Sequence, residues 1–87
     1  MDDPTIATLR ERISELDRTI LDAFNDRLEL VGELKRFKAS RGLDFLDHER
    51  ERRMLDDLRA ANGGPLSDEG VGTLLHALLD LTKREVD

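Results

Sequence analysis

Residues 27–40 read RLELVGELKRFKAS. Leu30, Leu34 and Phe37 recur at intervals of four and three, the spacing of a single helix face. Arg27 fills the preceding position of the same series, where an apolar residue belongs. Followed toward the N-terminus, the series runs back through Ala23, Ile20, Leu16, Ile13, Leu9 and Ile6. The pattern is a heptad seam of about five heptads with one charge set into it. Asp3-Pro4 offers an N-cap and a proline for the first turn, and Gly42 offers a stop.

At 1.5 Å per residue, residues 4–40 predict a rod of roughly 55 Å. The chain has 87 residues, enough for one small domain over residues 1–87 and too few to cover such a rod. The seam is therefore expected to meet a second copy of itself, in an intertwined two-fold homodimer. A single core from so short a chain is marginal, and association is a common remedy.

Beyond the seam, a second helix is expected from Asp44–Asp47 to about Ala61, with Met54, Leu55 and Leu58 on one stripe. Asn62-Gly63-Gly64-Pro65 is turn chemistry. Ser67 caps a third helix, Asp68 and Glu69 suit its dipole, and Val71, Leu74, Leu75, Leu78 and Leu79 form its stripe. The fold class is all-α: one long helix and two shorter ones.

Composition narrows the function. There is no cysteine, so thiolate metal sites and disulfides are excluded. The net charge of −6 argues against nucleic acid as the main partner. No apolar run approaches transmembrane length and no signal-peptide pattern opens the chain, so the expected location is cytoplasmic. His48 and His76 lack the spacing of a metal motif and read as surface residues, so no metal and no cofactor are expected. No Ser-His-Asp or Cys-His nucleophile and no glycine-rich phosphate loop is present.

The charges within the pattern carry more. An unpaired charge in a seam is costly. From spacing alone, Arg27 is either a register-setting polar residue, or half of an ion pair with a partner chain, or part of a binding site. Lys38 lies close to three whole turns further on, roughly 16 Å away on the same face, so the two cations can bracket a small anion. Arg10 is roughly 40 Å from Lys38 along one helix. In an antiparallel pair of long helices crossing near residues 21–22, however, Arg10 of one chain lies opposite residues 32–34 of the other. Two shared cationic sites per dimer would result. On the second helix Asp47, Arg50 and Glu51 share a face, either as part of that site or as a first-turn cap with an Asp47–Arg50 pair. Lys35, Arg36, Arg41, Arg52, Arg53 and Arg59 read as solvated surface.

With these residues in place, the stretch LRERISELDRTILDAFNDRLELVGELKRFKASRGL followed by DHERERRML resembles the all-helical class of chorismate mutase. The resemblance runs from about Thr5 through the third helix. It implies an intertwined three-helix homodimer that rearranges chorismate, a small dianion, to prephenate in aromatic amino acid biosynthesis. By the same resemblance, Arg10 of the partner chain and Arg27 bind substrate carboxylates, and Lys38 faces the ether oxygen. Asp47, Arg50 and Glu51 surround the ring hydroxyl and a carboxylate, with Glu51 accepting from the hydroxyl. Thr82 matches a Ser or Thr of the family.

Two positions depart from the family pattern. Leu46 stands where a further cation is frequent. Val86 stands where a Gln or Glu donates a second hydrogen bond to the ether oxygen; valine cannot, and Glu85 is the neighbouring substitute. Slow turnover by the isolated chain is the expected consequence. Related readings are an isochorismate pyruvate lyase or an aminodeoxychorismate mutase. Another is a regulatory domain that binds chorismate or prephenate, fused to or bound by a shikimate-pathway enzyme. Glu51 as hydroxyl acceptor favours the mutase.

Overall fold

The computed structural model describes residues 3–86. Its helices are α1 (Pro4–Ser40), α2 (His48–Ala61) and α3 (Asp68–Glu85). Each begins on the cap that its sequence supplies. Asp3 accepts from the Thr5 amide at 2.7 Å, Asp47 from the Arg50 amide at 3.0 Å, and Ser67 from the Gly70 amide at 3.0 Å. Each bond satisfies an amide that a helix start would otherwise leave orphaned.

The end of α1 is equally local in origin. Gly42 adopts φ +68°, the left-handed region where a side chain is strained. The Leu43 amide returns to the Lys38 carbonyl at 2.8 Å and the Gly42 amide to the Ala39 carbonyl at 3.2 Å. This is a Schellman closure, and it fixes the last turn that carries Lys38.

Packing is confined to one end of the rod. The molecule spans 60 × 25 × 18 Å. α2 and α3 pack on each other, and α3 also contacts α1. The buried apolar side chains are Val71 and Leu75 on α3, while Met54, Leu55, Leu78 and Leu79 are half-buried around them. Leu58 and Leu74, expected on the same stripes, remain exposed.

The seam of α1 lies open. Ile6, Leu9, Ile13, Leu16, Ile20, Leu30 and Phe37 are each between 45% and 67% exposed. Outside the stretch near Arg27 that α3 contacts, a single chain offers nothing to cover this face, as expected from its length. Contiguous apolar surface of this extent is uncommon on monomeric soluble proteins. No helix among the described residues is long and apolar enough to cross a membrane.

Candidate active site

Where α3 meets the C-terminal part of α1, a cavity of about 100 Å³ opens among all three helices. α1 contributes Arg27, Val31, Leu34 and Lys38. The loop and first turns of α2 contribute Leu46, Asp47, Arg50 and Glu51, and α3 contributes Thr82 and Lys83. Six of the eight residues singled out by sequence (Arg27, Lys38, Asp47, Arg50, Glu51 and Thr82) thus line one cavity. Four cations face two carboxylates, a local positive excess in a chain whose net charge is −6. Local field, rather than total charge, governs binding of a small anion.

Arg27 is held from behind. Its Nη1 donates to Thr82 Oγ1 at 2.6 Å, and the Thr82 hydroxyl in turn donates to the Leu78 carbonyl. Thr82 is 5% exposed. Its one proton is directed into its own helix, so its oxygen acts as an acceptor for the guanidinium. Thr82 therefore orients Arg27 in this arrangement. The seam tolerates the charge because Arg27 has a partner on α3, on the one stretch of α1 that α3 covers.

Asp47 caps α2 through the Arg50 amide, and no ion pair to the Arg50 guanidinium is formed. That amide bond holds the Asp47 carboxyl below its ordinary range; loss of surrounding water opposes the shift, and the charges of Arg53, Lys38 and Arg50 reinforce it. Glu51 sits one turn further on, with Oε1 3.4 Å from Lys83 Nζ and Oε2 3.7 Å from His48 Nδ1.

Two predicted site residues are not on this cavity. Arg10 is exposed on the free part of α1, away from α2 and α3. Val86 is the C-cap of α3, with an extended backbone, and lines a separate open depression with Leu28, Gly32 and Arg36. The helix ends at Glu85, and the Val86 carbonyl turns toward Lys35 Nζ at 3.4 Å. Lys35 also stands 5.5 Å above the Phe45 ring. It is thus half-buried between the α2 approach and the end of α3, where the sequence suggested a solvated residue. His48 and His76 are exposed, as expected. Among the described residues no cluster of His, Asp or Glu is disposed to hold a metal ion.

Lys83 is the charged cavity residue that sequence reasoning missed. In the last turn of α3 a lysine is already accounted for by the helix dipole, so nothing in the pattern singles it out.

Comparison with known proteins supplies the family. The family model for chorismate mutase type II matches residues 9–86, nearly the whole chain. The chain belongs to the chorismate mutase type II family. Two solved structures of chorismate mutase from Thermus thermophilus share its fold. Form I superposes with a TM-score of 0.87 at 33% identity, over 90% of this chain and 98% of that one. Form II gives 0.82 at 36% identity, over 95% and 99%. No curated protein matches the chain closely enough to count as a relative. Membership in the family, together with these neighbours, supports an all-α isomerase, in agreement with the sequence.

Proposed function

We propose that the chain rearranges chorismate to prephenate in this cavity. The observation that carries the proposal is the convergence of Arg27, Lys38 and Arg50 with Glu51 on one small cavity, in a chain of this family. The reaction is unimolecular. A carbon–oxygen bond breaks as a carbon–carbon bond forms, and no nucleophile or proton transfer is needed. Two tasks remain for the protein: holding a flexible dianion in its compact reactive conformer, and placing positive charge where the ether oxygen becomes more negative. Arg27, oriented by Thr82, binds a carboxylate. Lys38, fixed by the Schellman closure, serves the ether oxygen. Arg50 takes a carboxylate edge and Glu51 accepts from the ring hydroxyl.

The site is completed across a homodimer. The exposed seam of α1 supports this, because an antiparallel pairing about residues 21–22 both covers the seam and brings the partner chain's Arg10 to the stretch between Arg27 and Lys38. With Val86 off the cavity, Lys38 is the one cation we assign to the ether oxygen, and turnover by the isolated chain is slow. Disappearance of chorismate absorbance on addition of the purified chain, with prephenate identified as product, tests the proposal. Unchanged chorismate, or pyruvate released from isochorismate alone, contradicts it.

A further inference from the structure

Lys83 stands outside the roles assigned so far. Its Nζ lies 3.4 Å from Glu51 Oε1, and both side chains line the cavity. Glu51 is the more enclosed of the two, with its side chain 26% exposed against 43% for Lys83. The second carboxylate oxygen is 3.7 Å from His48, whose side chain is 78% exposed and which carries a charge only when protonated. Lys83 is thus the permanent charge on Glu51, and it reaches across from α3 to α2.

Glu51 presents an electrostatic difficulty. A carboxylate that must accept from a hydroxyl sits in a cavity meant for a dianion, where its charge repels the ligand. A lysine on one oxygen offsets that repulsion, restricts the carboxylate's rotation, and still leaves acceptor positions free for a hydroxyl.

We infer that Lys83 is a positioning residue for Glu51, acting on the substrate hydroxyl through that carboxylate. The inference rests on the reading of the cavity as the chorismate site. It distinguishes Lys83 from Arg27, Lys38 and Arg50, which meet the ligand's carboxylates and ether oxygen directly.

A double-mutant cycle on the full chain, with chorismate as the probe, tests it. In the native background Lys83→Met raises KM about threefold to fivefold with a smaller change in kcat, the upper part of the range for a partly exposed charge pair. The hydroxyl is bound in ground and transition states alike, hence the effect on KM. Lys83→Arg stays within about twofold of native, and in a Glu51→Gln background the rise in KM on Lys83→Met is clearly smaller than in the native one, since only the general field of the lysine is then lost. An equal loss in both backgrounds overturns the inference, since Lys83 would then touch substrate or serve stability alone. Should the native chain leave chorismate untouched, the assignment of the cavity falls separately. The pair is then judged by the 13C resonance of the Glu51 carboxylate. A shift on Lys83→Met supports the pairing, and no shift overturns it.

Discussion

Arg27 Nη1 donates to Thr82 Oγ1 at 2.6 Å, joining residues 55 positions apart and tying the charged position of the α1 seam to the buried hydroxyl of α3. Thr82→Val keeps the shape and removes the acceptor. It is expected to lower stability by about 1–3 kcal/mol, the usual consequence of unpairing a partly buried charged donor, and to raise KM for chorismate. Thr82→Ser, which keeps the hydroxyl, stays close to native in both. Thermal melts and steady-state kinetics on the two variants make the comparison. A Val variant as stable and as tight-binding as the Ser variant would remove Thr82 as the support of Arg27.

Glu51 and Arg52 are neighbours in sequence on different sides of α2. Glu51 lines the cavity and the edge of an outer groove; Arg52 lines only that groove, with His76 and Leu75. Glu51→Ala is expected to weaken transition-state binding by about 1–3 kcal/mol, through the unpaired hydroxyl it leaves. Arg52→Ala changes kcat/KM little. Equal losses would place the face of α2 wrongly with respect to the ligand.

Asp47 titrates below its ordinary range because it accepts the Arg50 amide. Its lowered folded value means the ionised cap stabilises the native state. That contribution is fully present above the unfolded carboxyl value of about 4, and it is lost as the pH falls through the lowered folded value. Native chain should therefore exceed Asp47→Asn in stability at neutral pH, with the gap closing in acid. Urea unfolding as a function of pH measures it. A gap that stayed constant through the acid range would deny the charge any part in the cap.

The seam of α1 predicts a dimer at micromolar concentration. Light scattering should report about twice the 9.9 kDa of the chain. A Leu16→Glu substitution, which sets a charge at a 62% exposed seam position, should shift the mass toward the monomer and abolish turnover together. Loss of the dimer with full activity would separate the site from the partner chain.

How much of this was legible in the sequence follows from the range of each interaction. The caps at Asp3, Asp47 and Ser67 and the stop at Gly42 are made within a few residues, and each was readable. So was the shared face of Arg27 and Lys38, because both ride on one helix of fixed period. Thr82 emerged from family resemblance, while its role as the acceptor for Arg27 depends on how α3 is rotated against α1, which no local pattern encodes. The Lys83–Glu51 pair and the placement of Lys35 over Phe45 are of the same kind. For Val86 the family resemblance implied a place beside the ether oxygen, whereas α3 ends at Glu85 and the carbonyl of the capping Val86 turns to Lys35.

The central claim is a catalytic site shared between two chains, and complementation tests it most directly. Arg10→Ala and Lys38→Ala should each be nearly inactive. Mixed and re-equilibrated, random pairing makes half the dimers mixed, and each mixed dimer restores one intact site while concentrating both lesions in the other. Chorismate turnover should then recover to about a quarter of the native rate. Absence of recovery, with mixed dimers demonstrated by mass, would contradict the account and leave Arg10 outside the site.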